Sequence, residues 1–415
     1  MRNSNAYFQK TRLAVIWNGV LFEPLLTVYG LLAFILRKDL EATIFQIAVL
    51  TMLKPVATIF SLYWSSSIYE RRDKLRSNVV WAGILCRVPF LFFPFISNVW
   101  VLIGCATFYM MLMRAGGPAW MEILKLNLPQ KERGKVFSLG SVVGYVEGAF
   151  LAIGVGVLLD YNSDFWRWIF PISAVLGIMG VCLQARVPVP LEKLPIQRPS
   201  PKESSFLEKI FIPWHNAFDL MRNRRDFFRF QLGFMICGFG LMVIQPAIPL
   251  LFSDILNLSY KEMVVALSIC RGTGYALTSP LWVRMLNRFS LYSFTSVVFL
   301  LVALYASLLI TSQLHVGLVY LAYFVYGVVL AGNHLAWNLS GPIFAKEKDS
   351  SLFSNVNVMT VGIRGCVAPP LGGLICTFYS PIFALSLGLV LFIFSGIKMY
   401  QWGRPSVSAF REPLI

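Results

Sequence analysis

Twelve stretches of this chain are apolar over lengths that only a lipid bilayer explains. They cover residues 13–36, 42–66, 78–97, 98–124, 137–159, 165–185, 228–252, 262–283, 290–312, 314–343, 352–376 and 380–401. A helix rises 1.5 Å per residue and needs about 20 apolar residues to cross the hydrocarbon. Each stretch is near or above that length. None alternates with the two-residue period of a strand, and each is about twice as long as a barrel strand. The backbone polar groups must therefore be satisfied inside helices. Composition agrees: AVILMFWYC make up 57% of the 415 residues and DEKR only 13%, against about a quarter charged in soluble domains. A soluble enzyme, a disordered chain and a collagenous chain are all excluded. The polar, basic start MRNSNAYFQKTR leads into a run long enough to span, which predicts no cleaved leader.

The loops between runs alternate in charge. The N-terminal tail, the loops after runs 2, 4, 8 and 10, the segment after run 6 and the C-terminal tail hold 27 of the 36 Lys and Arg. The opposite loops hold four: Arg37, Lys38, Arg167 and Lys261. Cytoplasmic loops are the basic ones, so the bias predicts a multi-pass protein of a cytoplasmic (inner or plasma) membrane with both termini in the cytoplasm. The net charge of +16 is thus a matter of topology, and nucleic acid is not an expected partner. The seven cysteines lie inside apolar runs and form no CxxC pair, and only three histidines are present. They read as small core residues, with no metal or other cofactor expected.

Residues 187–227 are the one real linker, rich in Pro and charge. The first part reads as coil. The second carries Phe206, Ile210, Phe211, Trp214 and Phe218, a pattern suited to a short amphipathic helix on the cytoplasmic membrane face. It divides the chain into a six-helix half (1–186) and a second six-helix half (228–415). The halves look related. Ala119-Trp120 and Ala336-Trp337 lie 217 residues apart, as do Gly148 and Gly365, and Gly156 and Gly373; Lys54 pairs with Arg271, and Glu23-Pro24 with Gln245-Pro246. Internal duplication is common in transporter folds.

This arrangement of six plus six helices, cytoplasmic termini and a long basic central loop resembles the major facilitator superfamily over the whole length. The loop after run 2 fits the frame of that family's G-x-x-x-D-R-x-G-R-[RK] signature with Ser66 to Leu75. Arg71 is kept, Glu70 and Lys74 are conservative, and Ser66 and Asp73 replace the glycines. The resemblance implies a gating loop built on Glu70, Arg71, Asp73 and Lys74. Arg114-Ala-Gly-Gly-Pro resembles the family's arginine motif in the fourth helix. The Pro-Pro-Leu-Gly-Gly sequence ending at Gly373 resembles an antiporter motif but lies in run 11 rather than run 5, so it does not imply an antiporter.

Nothing catalytic is present: no GxxxxGK[ST], GxSxG or HExxH occurs. What demands explanation is charge inside the apolar runs. Lys54, Arg87, Arg114, Arg271 and Arg364 lie deep within them, opposed at that depth only by Glu23 and Glu147. Each cation costs about 2.5–3.5 kcal/mol at the bilayer centre, so five cost on the order of 15 kcal/mol unless water or counter-charge surrounds them. In the family's fold, helices 1, 2, 4, 5, 7, 8, 10 and 11 line the central cavity. All of these ions except Arg87 are on that set, which leaves Arg87 to packing. Surplus positive charge there favours an anion, which guanidinium groups grip through paired hydrogen bonds. The candidate solute-binding residues are Lys54, Arg114, Arg271, Arg364, His334, Asn333 and Gln245. Glu23 and Glu147 are the candidate proton carriers, since a buried carboxylate can load and release a proton. Pro24 is expected to break helix 1 beside Glu23. The alternative is a set of internal ion pairs, Glu23 with Lys54 or Glu147 with Arg364, that lock helices and bind nothing. Gly140, Gly144 and Gly148 read as close helix packing that doubles as a sliding surface.

These features predict an all-helical secondary transporter rather than an enzyme. It moves a small, anionic organic solute by alternating access, as a symporter with protons, and works as a monomer in the bilayer. The alternatives are efflux of hydrophobic drugs, which surplus base disfavours, and a non-transporting sensor of the same fold, for which the 13 residues after position 402 offer little.

Overall fold

The computed structural model describes residues 2–70, 74–190, 206–286, 288–345 and 351–403. Among them every regular element is helical. The α-helices are α1 (Arg2–Lys38), α2 (Ile44–Glu70), α3 (Leu75–Leu85), α4 (Val99–Asn127), α5 (Gln130–Tyr161), α6 (Trp166–Ala185), α7 (Phe206–Asn223) and α8 (Arg225–Val243). They continue with α9 (Ala247–Leu250), α10 (Tyr260–Val264), α11 (Arg271–Leu286), α12 (Leu291–Thr311), α13 (Gly317–Ala345), α14 (Ser351–Phe378) and α15 (Pro381–Gly403). Nine described segments are long and apolar enough to cross a membrane. The three remaining apolar runs, 42–66, 137–159 and 262–283, lie on α2, α5 and the α10–α11 segment.

Local signals set the helix ends. Asn98 opens α4 by accepting the Trp100 N–H at 2.9 Å. Ser290 does the same for α12 through the Ser293 N–H at 3.2 Å. Thr43 and Gln46 form a reciprocal pair at the start of α2. Each satisfies a donor that the first turn leaves orphaned. Proline stands at the first position of α15, where a missing N–H costs nothing.

Two interruptions depart from the uniform spans read off the sequence. Run 78–97 is α-helical only to Leu85; Val88–Phe95 is a 3-10 helix, because Pro89 and Pro94 each remove an N–H from the α ladder. At Gln245-Pro246 the chain leaves α8 in a short turn before α9. At Glu23-Pro24, by contrast, α1 runs on unbroken over 37 residues. The expected break in helix 1 is therefore corrected. Close packing of α1 on α5, where Gly19 lies against Gly140, supports the backbone on either side of Pro24. α7 takes the place of the expected amphipathic helix in the linker, and ends where Arg224 bonds Asp226 and the Phe344 carbonyl.

The chain folds into two compact units. The first comprises residues 1–204 with 252–268, the second 205–251 with 269–415. The first unit is built around an aromatic core in which Phe90 lies 4.8 Å from Phe93, 5.1 Å from Tyr109 and 5.5 Å from Phe170. In the second, Phe227, Phe230, Phe344 and Phe353 interlock at centroid distances of 4.9 to 5.2 Å. A stack of Tyr305 on Tyr326 at 4.6 Å, with Tyr323 against both, forms another core there.

Candidate functional site

In the first unit, α1 and α5 meet along a stripe of small residues. Gly140, Gly144 and Gly148 of α5 face Val15, Gly19 and Glu23 of α1, each series spaced four residues apart. A methyl group on Gly148 would stand 2.6 Å from Glu23 Oε1 and 2.9 Å from its Cγ. The missing side chains therefore make the groove in which the Glu23 carboxylate lies. Glu147, one residue earlier on α5, is half-buried, and its Oε2 is shielded without a hydrogen-bond partner. Lys54 on α2 and Arg114 on α4 are both exposed inside apolar helices. Among the described residues Arg114 makes no hydrogen bond or ion pair.

Arg87 follows the reading of a packing residue. Its guanidinium is 6% exposed, lies 4.2 Å over the Phe22 ring, donates to the Gly83 carbonyl at 2.6 Å and rests against Gly177.

In the second unit α11 and α13 bring Tyr275, His334 and Asn338 together. Arg271 and Tyr275 stand one turn apart on α11. Tyr275 Oη lies 3.4 Å from His334 Nδ1 on α13, and Asn338 donates to the His334 carbonyl at 2.8 Å. His334 and Asn338 are exposed in the middle and second half of a helix long enough to span. Arg271 makes no hydrogen bond or ion pair among the described residues. It lies within electrostatic reach of the buried Tyr305, Tyr323 and Tyr326. Asn333, next to His334, is half-buried, as is Gln245 in the turn between α8 and α9.

Arg364 does not join this group. It is 6% exposed, packs against Gly238 of α8 and donates from Nη1 to the Phe234 carbonyl at 2.8 Å. Its Nε has no partner. The arginine that the sequence offers for solute binding is thus enclosed between α14 and α8. Of the gating loop, Arg71 and Asp73 lie outside the described residues, as does the side chain of Glu70 at the end of α2; Lys74 is exposed just before α3.

Tyr275 and Asn338 are absent from the residues singled out in the sequence. Both sit four residues after one that was, Arg271 and His334. That spacing puts each on the same helix face and was the signal available.

The sequence model of the Major Facilitator Superfamily matches residues 25–328. No curated protein sequence matches the chain significantly. Solved structures do. A POT family transporter in complex with 5-aminolevulinic acid superposes with a TM-score of 0.72 at 13% identity, over 95% of this chain and 96% of that one. A mutant of the nucleoside transporter NupG gives 0.69 at 15%, over 95% and 98%. A bacterial homolog of the human lysosomal transporter Spinster, captured inward-facing and unoccupied, gives 0.61 at 14%, over 96% and 95%. Identities this low establish a shared fold and nothing about a shared solute. With the family model covering well over half its length, the chain belongs to the major facilitator superfamily.

Proposed function

We propose that the protein is a twelve-span secondary active transporter that moves a small anionic organic solute by alternating access, with both termini in the cytoplasm. The observation that carries the proposal is Arg271. It is a half-buried guanidinium with no hydrogen-bonding or ion-pairing partner among the described residues, one turn before Tyr275 on α11. A permanent cation in that setting lacks a counter-charge, and a carboxylate or phosphate supplies one through two parallel hydrogen bonds. Arg114, exposed inside α4 of the first unit, extends the preference for negative charge. Arg364, enclosed beside Gly238, ties α14 to α8 and takes no part in recognition.

Proton coupling is assigned to Glu23 and Glu147. Glu23 has its carboxylate on the α1–α5 glycine stripe, where a change in helix spacing alters its surroundings. Glu147 has a shielded oxygen free to hold a proton.

The test is a thermal-shift screen of purified protein against small carboxylates and organophosphates, each beside a neutral isostere. A ligand that binds the folded state raises its melting temperature. Anions should raise it where their neutral isosteres do not, and the shift should vanish in Arg271→Gln. Equal shifts for neutral isosteres, or full shifts in Arg271→Gln, would reject the anion assignment.

A further inference from the structure

Between residues 222 and 229 the chain carries four arginines, and the fold uses one of them differently from the other three. Arg224 closes the elbow where α7 meets α8. Its guanidinium donates to both oxygens of Asp226, at 3.0 and 2.8 Å, and to the Phe344 carbonyl near the end of α13 at 3.1 Å. It also lies 5.7 Å over the Phe353 ring, and the Tyr292 hydroxyl of α12 donates to the Asp226 carbonyl. Arg222, Arg225 and Arg229 are exposed and make no hydrogen bond or ion pair among the described residues. The acids nearest to them in the chain are already engaged, Asp226 with Arg224 and Asp219 with His215 at 3.2 Å. The elbow therefore holds three guanidinium groups that no neighbouring acid neutralises.

Their place on the helices identifies what meets that charge. Arg225 is the first residue of a 31-residue segment long and apolar enough to cross a membrane. One face of α8 is buried through Phe227, Phe230, Gln231 and Phe234. The other carries Arg225, Phe228, Arg229 and Leu232 at helical spacing, with Phe228 45% and Leu232 40% exposed. At 1.5 Å per residue, Arg225 and Arg229 lie about 6 Å apart along the axis, and Leu232 follows about 4.5 Å deeper. Charge comes first and apolar surface next, which is the order in which a phospholipid presents its phosphate and its acyl chains. α7 repeats the pairing: Phe218, 61% exposed, and Arg222 stand one turn apart on it. Because Arg224 already fixes the elbow, the three free guanidinium groups are placed without help from a ligand.

We propose that the α7–α8 elbow is a binding site for an anionic phospholipid. Arg225 and Arg229 hold the phosphate through charge-assisted hydrogen bonds, Arg222 adds charge from α7, and Phe218, Phe228 and Leu232 lie against the acyl chains. The site consists of defined residues, and so differs from the general attraction of basic loops to a negative membrane surface. It is also separate from the residues of α11 and α13 assigned to the solute.

Native mass spectrometry of the purified, delipidated protein tests this, because it counts bound lipids and yields an apparent affinity for each. Phosphatidylglycerol should bind at least about tenfold more tightly than phosphatidylcholine with the same acyl chains. Arg225→Gln with Arg229→Gln should remove that preference. Either substitution alone should weaken phosphatidylglycerol binding about fivefold, and the single variants decide the matter if the double variant is unstable. Arg284→Gln with Arg288→Gln removes the same charge from exposed positions at the end of α11 and in the loop after it, and should leave the preference intact. Equal loss in that control would reduce the effect to bulk charge and overturn the site. Equal binding of phosphatidylcholine, or undiminished binding in the Arg225 and Arg229 variants, would overturn it too. Glycerol phosphate, which has the charge without the chains, should not displace the lipid; displacement at matching concentrations would mark a site for soluble phosphate esters and reject the lipid.

Discussion

A guanidinium inside a bilayer-spanning helix has two ways to limit its desolvation cost. It can lean on carbonyls and rings inside the protein, or it can reach water. Arg364 and Arg87 take the first course, each 6% exposed, with a carbonyl accepting at 2.8 and 2.6 Å and a glycine opposite. Arg114, exposed on α4, takes the second, and Arg271, half-buried near Tyr305, Tyr323 and Tyr326, stands between the two. The sequence presents all four alike, as an arginine among apolar residues, and a decision between the two courses depends on what faces the side chain from another helix. Gly238 and Gly177 are 126 and 90 residues away from the arginines they admit. That is why Arg364 reads as a binding residue until its neighbours are known. Replacing Arg271 with Gln removes a charge-assisted pair worth about 1.5–3 kcal/mol, so anion affinity should fall roughly 10- to 100-fold. Arg271→Lys should recover only part of it, because an ammonium lacks the planar fork. Competition binding of the best anion from the thermal screen checks both. Asp39 supports a prediction of another kind. Burial pushes its carboxyl above the ordinary value of 3.8, against the pull of the Tyr260 hydroxyl and Lys38. The folded state then holds the proton to higher pH than the unfolded chain, so this group's contribution to stability is lost as pH rises above 3.8. Asp39→Asn lacks this loss, so its melting temperature should gain on that of the wild type as pH rises above 3.8.

At the scale of elements, the glycine stripe on α5 was legible, because Gly140, Gly144 and Gly148 repeat every four residues and that period marks one helix face. What it packs against was not, since nothing local to α5 names Glu23 as the residue in the groove. Gly148→Ala places a methyl 2.6 Å from Glu23 Oε1. Overpacking of this kind costs about 1–3 kcal/mol. A lowered melting temperature together with altered pH dependence of uptake is the expected outcome; a variant that is less stable but unchanged in pH dependence would separate the stripe from coupling. The two Glx-Pro pairs show the limit of reasoning by repeat. Pro246 sits at a break between α8 and α9, whereas Pro24 sits inside continuous α1. The same dipeptide has different outcomes because the packing on either side of it differs. Two π-helices carried no sequence signal at all: Leu251–Ile255 and Val265–Cys270 read as ordinary apolar helix, and one extra residue per turn leaves hydrophobicity unchanged.

For the whole molecule, the apolar lengths and the alternation of basic loops were enough to reach an all-helical membrane protein of this superfamily. Both quantities are imposed by the bilayer and survive when nearly all sequence identity is gone. The solute leaves no such imprint, for a few side chains on an otherwise apolar scaffold decide it. The central claim is that Arg271 and Arg114, which have no acidic partner among the described residues, select a negatively charged solute. Saturable uptake of the best-binding anion into proteoliposomes, compared between wild type and Arg271→Gln, tests it most directly. The account predicts uptake by the wild type that an excess of the same unlabelled anion blocks and its neutral isostere does not, reduced at least tenfold in the variant. Undiminished uptake by Arg271→Gln, or equal block by the neutral isostere, would contradict it.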